Sequence, residues 1–330
     1  MKSLIIGAAG FVGAYLIRHL QQDLGHRTAA TKLPKERITT DCNTGCMQKT
    51  QIRETEIYDL DILDADAVLN LLQRIRPDYV FHLAAQSSVA VAWSHPGVTV
   101  DVNIRGAVNV LEAVRAMEKE NRPRVLLVGS GEEYGLVRAE EIPICEDNRL
   151  CPGNIYAATK ACQTMFGSIY AKAYEMEVVM VRAFNHIGPN QEPLFVVADF
   201  CRQVAWMEAG RQEAVLRVGN LDVRRDFTDV RDVVRAYAML AACGKSGEVY
   251  NVGSGRAVSI ADIVRMILQK SGISITVEPD ASKLRPVDLP VIEANIHKLQ
   301  QATGWQPQIG LEQTIEETLH YWRNRALAGM

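Results

Sequence analysis

Short apolar runs and longer amphipathic stretches alternate along the first half of the chain. "KSLIIGA", "HRTAATK", "EIYDL", "DYVFHLAA", "RVLLVGS" and "EVVMVRAF" are compact and rich in β-branched or aromatic residues, and they predict strands. Between them, "FVGAYLIRHLQQDL", "DADAVLNLLQRIR" and stretches around 101–119 and 155–174 place apolar residues at helical spacing. Strand–helix alternation of this kind specifies a parallel sheet with helices on both faces, because each parallel crossover is right-handed and returns over the sheet. The expected fold is α/β, a Rossmann-type doubly wound parallel sheet with a smaller mixed α/β C-terminal lobe. Residues 1–184 form the dinucleotide-binding part. Past Phe184 the glycine- and proline-rich "NHIGPNQEP" breaks the rhythm, and helix-then-strand patterning returns around 226–252. Residues 185–225 and 253–330 are therefore assigned to a substrate lobe, ending in the helix "LEQTIEETLHYWRNRAL". The polar stretch 33–54 carries the weakest pattern, and there is no internal repeat or low-complexity segment.

Bulk properties narrow the function classes. A formal net charge of −3 over 330 residues disfavours nucleic acid and anionic membrane surfaces, both of which select a basic face. No apolar stretch reaches the roughly 18–20 residues of a membrane-spanning helix. The N-terminal "SLIIGAAGFVG" is broken by glycines and reads as a strand and turn, not a signal peptide. Seven scattered cysteines are an odd number, which points to reduced thiols and a cytoplasmic protein. Cys42 and Cys46 in "CNTGC" lack a second cysteine pair or a nearby histidine, so no metal site is expected.

"GAAGFVG" places Gly7, Gly10 and Gly13 directly after the first strand and at the opening of the first helix. A dinucleotide pyrophosphate needs that arrangement: a tight turn, close backbone approach, tight helix–strand packing and helix N-terminal N–H groups. The spacing G-x-x-G-x-x-G resembles the extended branch of the short-chain dehydrogenase/reductase superfamily. "DLDILD" and "FHLAAQSSV" match the same branch. The resemblance implies that Phe11 and Val12 lie in the phosphate turn, that Asp61 and Ile62 flank the adenine, and that Leu83, Ala84 and Ala85 line the cofactor. The second strand runs into "AATKLPKER", with Lys32 and Arg37 and no acid before Glu36. Cations there suit a ribose 2′-phosphate, which favours NADP(H), with NAD(H) as the other possibility.

"YAATK" sets Tyr156 and Lys160 four residues apart on one helical face. An ammonium beside a phenol favours the phenolate and brings this weak acid towards working range. Ser130, in "GSGEEYG" at the end of the preceding strand, completes a trio for hydride transfer to a ketone. In this reading Ser130 holds the substrate oxygen, Tyr156 exchanges its proton, and Lys160 also bonds the nicotinamide ribose as in the superfamily. Glu132 stands two positions beyond Ser130 and is assigned a positioning role.

The chain is similar, nearly end to end, to the GDP-4-keto-6-deoxymannose reductase family, through "GSGEEYG", "FNHIGP", "VGNLDVRRDFTDVRD" and "TGWQPQIGLEQTIEETLHYW". That resemblance implies a GDP-sugar substrate whose C4 ketone is reduced by NAD(P)H to GDP-D-rhamnose. It also implies that Asn185, Arg225 and Arg285 meet the sugar diphosphate, a task suited to the bidentate guanidinium. GDP-mannose 4,6-dehydratases are a competing family. Their loop has a glutamate that removes the C5 proton where Glu132 stands, but they carry Gln-Asp-Gly where this turn has Phe11-Val12-Gly13. A nucleotide-sugar 4-epimerase and a non-catalytic dinucleotide sensor complete the alternatives. Extended relatives pair through the helices around 101–119 and 155–174, so a homodimer is expected.

Overall fold

The computed structural model describes residues 1–38, 55–283 and 289–329. The cysteine pair Cys42/Cys46 and Arg285 lie outside the described residues. Seven strands make one parallel sheet: β1 (Lys2–Ile6), β2 (Arg27–Lys32), β3 (Glu56–Asp59), β4 (Tyr79–His82), β5 (Arg124–Ser130), β6 (Val178–Ala183) and β10 (Val249–Val252). Their order across the sheet is β10-β6-β5-β4-β1-β2-β3. The chain therefore departs in opposite directions from β1, and a crevice opens beyond the carboxyl ends of β1 and β4, where ligands of open α/β sheets bind.

Alternation within the strands divides the core. Leu4, Ile6, Val80, Val125, Leu127, Val178 and Met180 face α2 (Ala65–Ile75), α5 (Gly106–Arg115) and α6 (Ile155–Ala173). Ile5, Phe81, Leu126, Val179, Val181 and Val252 face α1 (Phe11–Arg18) and α8 (Val230–Cys243). Both faces are buried, which is why these strands read as continuous apolar runs instead of alternating ones. Asp64 caps α2, its carboxylate accepting the Ala67 N–H at 2.9 Å. The helix expected over 101–119 is shorter: Asp101–Arg105 forms a π-helical turn leading into α5, and Lys119–Asn121 is a separate single turn. Two short helices, α3 (Val89–Ser94) and α4 (Pro96–Val100), precede it.

The second layer is mixed. Strand β9 (Arg224–Asp229) pairs in parallel with β7 (Asn185–Ile187) and β13 (Val291–Ile292), and antiparallel with β11 (Ala257–Ser259). β8 (Val215–Val218) pairs with β12 (Thr276–Pro279). Helices α7 (Val196–Glu208), α9 (Ile260–Gln269) and α11 (Leu311–Leu327) share a core with these strands through Phe200, Val204, Phe227, Ile263, Ile315 and Trp322. The stretch "RDFTD" is strand, and helix α8 begins only after Asp229, whose carboxylate accepts the Arg231 N–H at 2.8 Å. The short α10 (His297–Thr303) packs on α8. Among the described residues no helix is long and apolar enough to cross a membrane.

Candidate active site

The site assembles at the carboxyl ends of the parallel strands. Immediately after β1, Gly7 adopts φ +85°, and a Cβ there would lie 2.5 Å from the Ala84 backbone. Gly13 faces the Ala8 carbonyl, where a Cβ would stand 2.2 Å away. Gly10 differs: it is exposed, and a Cβ would find only the Gly7 carbonyl oxygen, at 3.7 Å. One glycine shapes the turn, one permits close helix–strand packing, and one leaves open surface at the N-terminus of α1. That is the cradle a pyrophosphate requires, and an added methyl would fill it.

The other residues expected on the cofactor side end or follow β1, β2, β3 and β4. Leu83, Ala84 and Ala85 follow β4, with the Leu83 and Ala84 N–H groups both donating to the Ile6 carbonyl at 2.9 Å. Asp61 is exposed beyond β3 and accepts the Leu63 N–H at 3.0 Å. Ile62 turns its side chain into the core, where a Cβ on Gly106 would lie 2.4 Å from it. Phe11 and Val12 open α1, and the Phe11 ring stacks on His186 of β7 at 6.1 Å between centroids. Arg37 is exposed after β2. Lys32 is already engaged: its ammonium pairs with Asp59 at the end of neighbouring β3. Any anion taken by Lys32 competes with that carboxylate.

Ser130 ends β5 and Tyr156 lies in the first turn of α6, whose N-cap Asn154 accepts the Ala157 N–H at 2.8 Å. The Ser130 hydroxyl faces the Tyr156 phenol and favours its ionised form. Burial pushes the phenol's pKa up, the Ser130 hydroxyl opposes this, and the charges of Glu132 and Glu133 add to the rise. Lys160 is buried one turn further on. Its ammonium donates to the Val128 carbonyl at 2.7 Å and to Gln163 Oε1 at 3.2 Å, instead of to the phenol. Burial brings this ammonium down to about 8, with Glu133 opposing. Glu132 is half-buried, and its carboxylate accepts the Asn154 side-chain N–H at 3.3 Å. Its own N–H donates to Ser130 Oγ at 3.2 Å.

On the substrate side, Asn185 is exposed and follows β6 at the start of β7, in register with Phe227 of β9. Arg225, two residues before Phe227, is buried and donates to the carbonyls of Arg224 at 2.9 Å and Leu289 at 2.7 Å. The acid next to it is not its partner in these bonds. Asp226 accepts from the Ser254 N–H at 2.7 Å, the Gly255 N–H at 3.0 Å and the Ala294 N–H at 3.1 Å.

Three groups at this site escaped the sequence reading. Asn103 is buried and ties the loop after β4 to α6, donating to Thr159 Oγ1 at 2.9 Å and accepting the Gln86 N–H at 2.8 Å. His82 is buried with neither ring nitrogen hydrogen-bonded, and burial, then the Lys160 charge, holds it neutral with a pKa near 3. Glu133 is fully buried against Arg182. A signal for the last existed: an arginine inside the apolar strand "VVMVRAF" demands a buried partner.

Comparison with known proteins bears on this geometry. Residues 4–318 match the family described as GDP-mannose 4,6 dehydratase. A GDP-6-deoxy-D-mannose reductase of Pseudomonas aeruginosa is 34% identical over 80% of this chain and 86% of its own. A UDP-glucose 4-epimerase of Mycolicibacterium smegmatis is 30% identical, covering 99% of this chain and 100% of its own. Among solved structures, that of RMD from Pseudomonas aeruginosa complexed with NADPH superposes with a TM-score of 0.84 at 31% identity, over 98% of this chain and 100% of that one.

Proposed function

The chain belongs to the GDP-mannose 4,6-dehydratase family within the extended short-chain dehydrogenases/reductases, and we propose that it reduces the C4 ketone of GDP-4-keto-6-deoxy-D-mannose to GDP-D-rhamnose. The observation that carries this reading is the placing of Ser130 at the end of β5 and of Tyr156 and buried Lys160 on α6, in the same sheet as a phosphate-cradling glycine turn after β1. The likeness to the Pseudomonas aeruginosa reductase and to its NADPH complex supports both substrate and cofactor.

Gly7, Gly10 and Gly13 hold the pyrophosphate, Asp61 and Ile62 flank the adenine, and Leu83–Ala85 line the middle of the cofactor. Lys32 and Arg37 are the cations available to a 2′-phosphate. The chemistry NADPH supplies when bound is a hydride for the C4 carbon. Ser130 Oγ donates to the ketone oxygen and orients it. Tyr156 gives that oxygen its proton as the carbon is reduced, and the buried Lys160 charge stabilises the phenolate left behind. One hydride and one proton convert the ketone to the alcohol, so no base at C5 is needed. Glu132, turned towards Asn154, positions the substrate side of the loop. The layer built on β7, β9 and β13 serves as the substrate lobe, with Asn185 and Arg225 near the sugar diphosphate.

The resemblance to a 4-epimerase over nearly the full length favours one other reading. An epimerase keeps its NAD through a closed cycle, whereas β2 here ends on Thr31-Lys32, without an acid for the ribose hydroxyls. Incubating the protein with NADPH and GDP-4-keto-6-deoxymannose separates the readings. Stoichiometric NADPH loss with GDP-D-rhamnose formed is the expected result. Interconversion of a UDP-sugar without net cofactor change would favour the epimerase, and a 4-keto product from GDP-mannose would restore Glu132 as a base.

Two further assignments complete the proposal. On α6, Met165 and Ile169 are 57% and 51% exposed, and α3 and α4, which pack against α6, expose Trp93 and Val98; these apolar side chains suit a homodimer contact. Cys145, Cys151, Cys162, Cys201 and Cys243 are free thiols, which accords with a reducing, cytoplasmic setting.

A further inference from the structure

The loop that carries Ser130 and Glu132 also sends a carboxylate inward. Glu133 Oε1 accepts the Ser130 N–H at 2.8 Å and the Thr164 hydroxyl at 3.1 Å, while Oε2 accepts Arg182 Nε at 2.9 Å. Room for it exists only because residue 129 is glycine: a Cβ there would stand 2.2 Å from Glu133 Oε1 and 2.9 Å from Thr164 Oγ1. Arg182 is in turn fixed, donating to the Tyr134 hydroxyl and the Glu146 carbonyl, each at 3.0 Å, and Tyr134 donates to Asn251 at 2.6 Å. Thr164 lies one helical turn beyond Lys160 on α6. The end of β5, helix α6 and strand β6 thus meet on one carboxylate.

We propose that Glu133 is a positioning residue for the ketone reduction: its buried carboxylate locks the Ser130 backbone to the helix that bears Tyr156 and Lys160, and is the fixed negative charge beneath them. The proposal rests on the reductase reading of the trio. Burial alone pushes the Glu133 carboxyl up, with Arg182 and the Ser130 N–H opposing. The ionised form is the one the geometry fits, because an N–H, a hydroxyl and a guanidinium all donate to the two oxygens and Arg182 needs a counter-charge. The charged and titratable groups around the trio are Glu132 and Glu133 from the loop, Arg182 from β6, His82 from β4 and the buried Tyr237 from α8. His82 is neutral, and Glu132 is half-buried, which leaves Glu133 as the buried anion acting on both Tyr156 and Lys160. It raises the proton affinity of each, adding on the phenol to the larger effect of burial.

The test compares Glu133→Gln, Glu133→Asp and the paired-amide variant Glu133→Gln/Arg182→Gln with the parent protein, using NADPH and GDP-4-keto-6-deoxymannose. The paired variant is included because a glutamine amide facing Arg182 risks misfolding. For Glu133→Gln or its paired form, kcat falls about 10–100-fold with KM within about threefold. The basic limb of the kcat–pH profile moves down by on the order of one pH unit. Glu133→Asp, which keeps the charge, returns the limb towards its original position. A limb that stays in place in every variant, or a loss of rate that follows thermal stability alone, overturns the proposal. If the parent protein reduces no ketone, the functional reading fails instead. The proposal is then decided without substrate, from phenolate absorbance taken as the difference between each protein and its Tyr156→Phe partner. A lower Tyr156 midpoint without the Glu133 charge upholds it, and an unchanged midpoint sinks it.

Discussion

Gly10→Ala separates cofactor binding from folding, and the structure sets the size of each effect. At Gly10, φ −70° and ψ 168° are open to any L-residue, and the new Cβ meets only the Gly7 carbonyl oxygen at 3.7 Å. Alanine is a poorer N-cap than glycine by about 0.5–1 kcal/mol. Loss of glycine's freedom in the unfolded chain offsets this by about 0.4–1 kcal/mol. The two nearly cancel, so the melting temperature of the free protein should hardly move. The methyl, however, projects into the open cradle at the start of α1. Forcing a pyrophosphate past it costs about 1–3 kcal/mol, the penalty of overpacking, or roughly a 5–150-fold weaker Kd. Gly13→Ala is the control of opposite sign, since its Cβ would stand 2.2 Å from the Ala8 carbonyl oxygen and 2.6 Å from the Ala8 carbonyl carbon. Backbone cannot swing aside as a side chain does, and that variant should lose stability at the upper end of the overpacking range, about 3 kcal/mol or more. The assay is NADPH titration by calorimetry together with thermal melts, with and without cofactor. A folded Gly10→Ala protein that binds NADPH as tightly as its parent would refute the cradle, whatever happened to Gly13→Ala.

The remaining predictions concern charge and proton transfer. Tyr156→Phe should lower kcat for ketone reduction by about 10²–10⁴-fold with NADPH affinity kept, while Glu132→Gln loses less than about tenfold; steady-state rates and cofactor titration check both, and comparable losses would give Glu132 a chemical role. Lys160→Met should abolish turnover yet stabilise the free protein near pH 7. Burial holds the Lys160 ammonium at about 8, below the ordinary lysine value, so the unfolded chain binds more protons between them and parent stability rises with pH across that window. The penalty of about 3 kcal/mol is therefore fully present below pH 8 and recovered towards pH 10, and denaturant melts at both ends should show the variant's advantage shrinking. Lys32→Ala should weaken NADPH but not NADH, and Asp59→Asn, by freeing the paired Lys32 ammonium, should tighten NADPH up to about fivefold, as expected for a surface pair. Equal changes for the two cofactors would remove Lys32 from the 2′-phosphate site.

Much of the frame was readable from local order along the chain. The six N-terminal apolar runs are six of the seven strands of the parallel sheet, and "GEVYNVGSG" contributes the seventh, β10. Tyr156 and Lys160 lie on α6, and "GAAGFVG" spans the turn and the opening of α1. The helical patterning expected from about residue 226 begins only at Val230, because Arg224–Asp229 is held extended between strands on both sides. Lys32 was legible as a cation at the end of β2, but not as half of an ion pair with Asp59.

Sequence by itself determined the features whose physics is short-ranged: strand and helix periodicity, a glycine turn between them, and two reactive side chains one helical turn apart. Tertiary structure alone decided which charges are exposed and which are buried. Glu132 and Glu133 are chemically identical neighbours, yet one reaches Asn154 and the other is enclosed by Ser130, Thr164 and Arg182. That choice depends on contacts 31 and 49 residues away along the chain, and Tyr134 completes the network with Asn251, 117 residues distant. A charge is accommodated in a low-dielectric interior only where such remote partners converge on it, and that convergence is created by the packing of β5, β6 and α6.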